Sequence, residues 1–321
     1  MDGGVEGSNA SAEPTFQLRV LASGSNGNCI FFRAGDLRLL FDAGVPRRRI
    51  QQALWEIDED LDAIDAMLVT HEHGDHIHAL PSIMAKYPEM AIHCTAGTAS
   101  RVQRPRNAFG ADFVEPGECF SIGRSVITPF STSHDAAQSV GYRVDVDDFS
   151  FAYVTDLGWS TREVEWTLQG VQTVLLEANY DESMLWNGRY PARLKRRVSS
   201  RRGHLSNVQA ARVLSEIAGP QLQQVILGHL SASNNDAALA VDTVAPALDG
   251  LEHVNLLAAD RTTPGDLMTF TARPAPPPPP PLAKQGFLFQ GDKRQDPQRR
   301  RSSRGRREDV IAEPERQLSL F

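Results

Sequence analysis

Cysteine is scarce in this sequence: Cys29, Cys94 and Cys119 form an odd and widely spaced set. No disulfide framework is implied, which suits a reducing cytoplasm. Long apolar runs are missing as well. No stretch reaches the about 18 residues that a membrane-spanning helix needs, so no membrane partner is expected. Residues 1–14 are polar and acidic and lack the basic and apolar regions of a secretory leader. No internal repeat is evident. What is present is a globular composition, 41% hydrophobic over 321 residues, enough for one large α/β domain with a full core.

Charge is unevenly distributed. The chain holds 33 basic and 40 acidic residues, a net −7. Residues 271–321 contain 11 basic and 6 acidic residues, so the first 270 contain 22 and 34, a net −12. An acidic body does not exclude a nucleic-acid enzyme, because binding needs a local positive patch and not a positive average.

The most informative stretch is His71-Glu72-His73-Gly74-Asp75-His76, directly after the apolar run Ala66-Met67-Leu68-Val69-Thr70. A buried strand ending in three imidazoles and a carboxylate needs partners, since unpaired polar groups there cost several kcal/mol. His and Asp are ligands that suit Zn²⁺, Mn²⁺ or Fe²⁺. The plain alternative is a solvated, histidine-rich loop. Further candidate ligands follow strand-like segments: His134 after residues 125–130, Asp156 after 149–155 and His229 after 224–228.

His-x-His-x-Asp-His with these later residues in order resembles the metallo-β-lactamase superfamily over about residues 16–271. The resemblance implies an α/β fold, an αββα sandwich with metals at one edge of two sheets. Finer motifs are similar to the YycJ/WalJ-type exonucleases: Ala22-Ser23-Gly24-Ser25-Asn26-Gly27-Asn28-Cys29, Leu40-Phe41-Asp42-Ala43-Gly44, Gly203-His204-Leu205-Ser206-Asn207 and Gly228-His229-Leu230-Ser231. That likeness implies a bacterial, cytoplasmic and nucleoid-associated enzyme cutting DNA in the 5′→3′ direction. RNase Z places a His before the Glu of its fourth motif, whereas Leu176 precedes Glu177 here. No long insertion for gripping a tRNA is present either.

On that resemblance, two divalent ions (Zn²⁺ or Mn²⁺) are expected. His71, His73 and His134 would hold one, Asp75, His76 and His229 the other, with Asp156 bridging; Asp75 also counts as a catalytic residue. Such a pair can ionise a water and stabilise charge on a phosphate oxygen. The same metals suit lactone, thioester or β-lactam hydrolysis. His204 opens a helix after Gly203 and is a candidate general acid with Glu177 orienting its ring. The alternatives are a helix-capping histidine and a local salt bridge. Asp42 is either a partner of a ligand histidine or a turn-forming residue.

Arg189, Arg193, Lys195, Arg196, Arg197, Arg201 and Arg202 run into His204 without an acidic interruption. They would attract a polyanion such as DNA and hold its phosphates, or simply form a solvated helix face. Tyr180, Trp186 and Tyr190 nearby are candidates for stacking a terminal base or for packing.

Three segments are expected: a disordered N-terminus over 1–14, a catalytic domain over 15–271 and a disordered tail over 272–321. The tail has six successive prolines, Pro276 to Pro281, a stiff spacer. It ends Gln317-Leu318-Ser319-Leu320-Phe321, which resembles the pentapeptide that binds the bacterial sliding clamp. Gln317 would anchor by its amide while Leu318, Leu320 and Phe321 meet an apolar pocket. Gln285-Gly286-Phe287-Leu288-Phe289 repeats the pattern. The leading expectation is a clamp-tethered 5′→3′ exonuclease of DNA repair or replication. An RNA or small-molecule phosphodiesterase and a non-catalytic clamp adaptor are the alternatives.

Overall fold

A computed structural model describes residues 15–102 and 110–271. The expected N-terminal segment, the proline spacer and both clamp-like peptides lie outside the described residues.

The first half begins with a meander, β1 (Thr15–Ala22), β2 (Cys29–Ala34) and β3 (Leu37–Phe41). It continues through α1 (Arg47–Trp55), β4 (Ala66–Leu68), α2 (Gly74–Ile77), α3 (Leu80–Lys86), β5 (Ala91–Cys94), α4 (Ala96–Arg101) and β6 (Asp112–Phe113). The second half also opens with antiparallel strands, β7 (Phe120–Ile122), β8 (Ser125–Ser131), β9 (Val140–Val146) and β10 (Phe149–Val154). Then come α5 (Arg162–Leu168), β11 (Thr173–Glu177), α6 (Glu182–Asn187), α7 (Ala192–Val198), α8 (Asn207–Ile217), β12 (Gln224–Gly228), α9 (Ala237–Val244), β13 (Asn255–Ala258) and β14 (Met268–Thr271).

The strands form two seven-stranded sheets, ordered β14-β1-β2-β3-β4-β5-β6 and β13-β12-β11-β10-β9-β8-β7. In each, an antiparallel meander gives way to parallel pairing, from β3 onward in one and from β10 onward in the other. Parallel strands need crossover connections, and these carry the helices.

Alternation along the strands builds three apolar layers. Ile30 and Phe32 of β2 face the other sheet, where Phe32 lies 5.7 Å from Phe151 and Phe16 stacks on Phe149 at 4.5 Å. Cys29 and Phe31 face outward and pack with Ile50 and Leu54 of α1 and Leu80 and Ile83 of α3. On the far side Val174, Leu176, Val225 and Leu227 pack with α5, α8 and α9. The expected αββα sandwich is therefore the fold. Between the candidate ligands and β5, α2 stops at Ile77 and α3 begins at Leu80 with a proline in its first turn. Proline accepts a helix start but not an interior position. Free Cys29 and Cys94 are buried, and Cys119 is exposed.

Candidate metal centre and its cleft

The strand ends deliver the polar residues. β4 stops at Leu68, and Val69 and Thr70 lead into His71. Asp42 follows β3, Asp156 follows β10, Glu177 ends β11 and His229 follows β12. All lie at the C-terminal ends of parallel or mixed strands, where the chain turns out of the sheet. Asp42, Asp156 and His229 take left-handed backbones with φ of 58°, 54° and 54°. Few non-glycine residues do so unless their surroundings hold them there.

His71 Nε2 is 3.0 Å from His73 Nδ1, and His134 Nε2 is 3.2 Å from the same atom. His71 Nδ1 lies 3.1 Å from Thr70 Oγ1 and His134 Nδ1 lies 3.0 Å from the Gly203 carbonyl oxygen. If those Nδ1–H groups donate, both Nε2 atoms are left with lone pairs. His73 Nδ1 can donate to only one of them. Burial lowers the pKa of both His71 and His134, which favours neutral rings. Neutral imidazole lone pairs converging at such spacing fit a divalent cation, for which metal–nitrogen distances of about 2.0–2.1 Å apply.

A second group lies beside the first. His76 Nε2 is 2.9 Å from Asp156 Oδ2 and 3.6 Å from Asp75 Oδ2, while His229 Nε2 is 3.9 Å from Asp75 Oδ2. His76 Nδ1–H donates to Asp42 Oδ2 at 2.7 Å, which turns Nε2 toward the cluster. Buried His229 Nδ1 has no hydrogen-bond partner among the described residues. Burial disfavours a charged His76, but Asp156 and Asp42 outweigh it and raise its pKa well above the imidazole norm. Burial likewise disfavours ionised Asp156, and His229, His76 and His134 outweigh it and hold the carboxyl well below its usual range. The cluster thus favours a positive guest over a neutral one. All seven expected ligands, His71, His73, Asp75, His76, His134, Asp156 and His229, belong to sets whose donor atoms lie within 4.8 Å of one another.

Asp42 is the hub behind this surface. Fully buried, it accepts from the Thr70 N–H at 2.8 Å, the Thr70 hydroxyl, the Tyr153 hydroxyl at 3.0 Å and His76. Asp42 has a turn backbone with φ of 58° and at the same time holds the His76 ring, as a carboxylate behind a metal-binding histidine would. The glycine hairpin supports Asp75. Asn28 donates its N–H to the Asp75 carbonyl at 2.8 Å, and its amide ties Gly24 to the same place. A Cβ at Gly44 would come within 1.7 Å of that carbonyl.

His204 Nδ1 is 2.7 Å from Glu177 Oε1, and Glu177 Oε2 accepts the backbone N–H groups of Leu157 and Leu205 at 2.8 and 3.2 Å. The carboxylate is fully buried and cannot turn. Burial opposes a charged His204, but Glu177 prevails and its pKa is pushed up to about 9. His204 caps nothing: Ser206 caps α8 through a capping box with Gln209. The ring lines a cleft of about 390 Å³ together with His73, Asp75, His134, Asp156, His229, Tyr190 and Arg197.

The comparisons with known proteins agree with this geometry. Residues 37–230 match the Beta-lactamase superfamily domain. Over 234 residues the chain is 35% identical to an exodeoxyribonuclease WalJ of Streptococcus pneumoniae, covering 71% of this chain and 87% of that protein. It is 30% identical to an exodeoxyribonuclease YycJ of Bacillus anthracis, covering 72% and 88%. The chain belongs to the metallo-β-lactamase superfamily. Among solved structures, the metallo-β-lactamase fold protein YhfI of Bacillus subtilis superposes with a TM-score of 0.60 at 16% identity, over 80% of this chain and 100% of that one.

Within this metallo-β-lactamase fold the basic run divides. Arg197 lines the cleft and pairs with Asp135 at 2.6 Å. Arg201 and Arg202 line a neighbouring groove. Lys195 donates instead to the Trp186 carbonyl at 2.7 Å, and exposed Arg189, Arg193 and Arg196 line neither recess. Of the three nearby aromatics Tyr190 reaches the cleft, Trp186 is exposed outside it, and Tyr180 is buried beside Ser206. The sequence reading passed over Trp159, three residues beyond Asp156; its only signal was that a tryptophan follows a ligand so closely.

Proposed function

We propose that the protein is a metal-dependent exodeoxyribonuclease that removes nucleotides from DNA in the 5′→3′ direction. One observation carries the reading: His73, Asp75, His134, Asp156 and His229, five of the seven residues able to hold divalent ions, line a cleft with His204, whose ring is held from behind by Glu177. The named activity of the WalJ and YycJ relatives supports DNA as the substrate. His71, His73 and His134 would hold one ion and Asp75, His76 and His229 a second, with Asp156 between them. Bound there, Zn²⁺ or Mn²⁺ supplies an ionised water and neutralises charge on the phosphate.

The chain's own residues do the rest. Asp42 and Thr70 hold the Nδ1 sides of His76 and His71, so that their Nε2 atoms turn toward Asp156 and His73 in the cluster. Glu177 holds His204 by Nδ1, leaving Nε2 as the atom to hold and deliver a proton to the departing alkoxide. Arg197 stands at the rim, where a strand's phosphates would pass.

The deciding assay uses the full chain with Mn²⁺ and duplex DNA labelled internally or at the 5′ end. Wild type is expected to release short 5′ products, and Asp75→Ala to release none. Cleavage of RNA but not DNA would overturn the substrate assignment and leave the hydrolase. We also propose recruitment by the bacterial sliding clamp through Gln317–Phe321, supported by the pentapeptide alone. Removing those five residues should abolish binding to purified clamp, and unchanged binding would refute the partner.

A further inference from the structure

Beside the cleft, and sharing His134 with it, lies a groove of about 460 Å³. Three loops build it. Residues 131–139 supply Ser131, Thr132, Ser133 and Ser139; Trp159 comes from the turn after Asp156; Arg201 and Arg202 come from the loop before His204. The loops are locked together. Gly158 donates its N–H to the Ser133 carbonyl at 2.8 Å. A Cβ at Gly158 would lie 2.5 Å from the Gly203 nitrogen and 2.7 Å from the Arg201 carbonyl. The groove is thus fixed to two expected metal ligands, His134 and Asp156, and to the expected acid.

Its chemistry is one-sided. Among the described residues no carboxylate lines it, although the first 270 residues carry a net −12. Arg197, in the main cleft, is neutralised by Asp135. Arg201 and Arg202 have no carboxylate partner among the described residues. Arg202 spends only Nε, on the His134 carbonyl at 3.1 Å, which leaves the rest of its fork directed elsewhere. Arg201 lies over the Trp159 ring at 4.8 Å. That contact holds a guanidinium in place without consuming its donors. Thr132, 8% exposed on the floor, has a hydroxyl with no hydrogen-bond partner. Two guanidinium groups without a carboxylate partner among the described residues, each held in place at one side, mark a place for acceptor oxygens.

We propose that this groove is a phosphate subsite, in which Arg201 and Arg202 hold a phosphate of the strand whose neighbouring phosphate is in the cleft. Trp159 is a positioning residue that keeps Arg201 in line. The proposal rests on the nuclease reading and narrows it, assigning phosphate recognition to two of the seven basic residues. The phosphate is either an internal diester or a terminal 5′ monoester; the two share oxygen acceptors and differ in charge.

The test is equilibrium binding of a dye-labelled single-stranded oligonucleotide to the full-length, metal-loaded protein in a His204→Ala background, which slows cleavage and spares the ligands. Affinity is followed against salt concentration. Each lost phosphate contact on a single strand lowers the slope of log K against log salt by about 0.7. Arg201→Gln and Arg202→Gln should each lower it by that amount, whereas Arg189→Gln and Arg193→Gln should not. Trp159→Ala should reproduce the Arg201→Gln change, and Trp159→Phe should restore most of it. A general loss of folding would lower affinity without this pattern, and thermal melts of every variant identify it. Oligonucleotides with and without a 5′ phosphate separate the two sources: a slope change confined to the phosphorylated strand assigns the monoester. Equal slopes in Arg201→Gln, Arg202→Gln and the parent would overturn the subsite even where wild type cleaves DNA. Binding with the predicted slopes but no cleavage by the protein with His204 intact would keep the subsite and overturn the nuclease reading.

Discussion

Glu177 pushes the His204 pKa up to about 9, which would keep the ring protonated at neutral pH, as the proposed role of general acid requires. The sign follows directly. The ring loses its proton as pH rises through the folded value, so the turnover number should fall on that alkaline limb. Bound cations oppose the shift and bring the limb to lower pH. Glu177→Gln should move it lower still, and a pH profile of both proteins checks this. The same pair stabilises the fold fully below about pH 6.5, the ordinary histidine value, and that contribution disappears as pH rises through about 9. His204→Ala should cost about 100- to 10,000-fold in turnover, read by single-turnover kinetics. Asp42→Ala should weaken metal affinity about 10- to 100-fold through His76 and Thr70, as titration with a competing chelator would show. The family resemblance named the candidate ligands, and the structure brings their donor atoms within 4.8 Å of one another in overlapping sets. The sequence left Asp42 undecided between a turn and a partner, because its roles depend on Thr70, His76 and Tyr153 meeting in space.

At the scale of elements, the two halves repeat a pattern of strand direction. Asp42 and Asp156 each follow the first strand that pairs in parallel within their sheets, β3 and β10, and both have left-handed backbones. One faces the ligands from behind and the other stands among them. No repeat was visible in the sequence, since polarity and turn geometry recur while residues do not. The first three strands are legible in the sequence as short segments joined by glycine turns. α8 is legible because Ser206, a capping residue, precedes Val208, Ala211, Leu214 and Ile217 at helical spacing; that Gln209 completes a capping box only the structure shows. The short α4 and α6, with six residues each, offer too little periodicity to read. Close approach between elements was also invisible: Gly44 carries no signal that Asp75 passes within reach of its missing side chain. Gly44→Ala should displace the Asp75 carbonyl, and a reduced metal stoichiometry by elemental analysis would register it.

For the whole molecule, the cleft is where the halves meet. His71, His73, Asp75 and His76 come from one sheet's connections, and His134, Asp156 and His229 from the other's. Metal bound across them stabilises the folded state over the unfolded one, by about 2.7 kcal/mol when its concentration is 100 times the dissociation constant. Chelation should therefore lower the melting temperature, and readdition of Mn²⁺ or Zn²⁺ should restore it. Phe151→Ala, placed where Phe32 and Phe41 meet it between the sheets, should cost about 3–5 kcal/mol in denaturant unfolding.

The last described strand has a further consequence. β14 leaves the second half and pairs with β1, with Thr271 opposite Thr15. The first and last described residues are thus neighbours across a single ladder. Joining them by a short linker and opening the chain between β6 and β7, near Gly117, would give a circular permutant. In it, β7 to β13 would be one continuous piece and β14, β1 and onward to β6 the other. Each sheet would then be encoded without interruption, whereas the wild-type chain makes the first sheet in two instalments, β1 to β6 and, after the whole second sheet, β14.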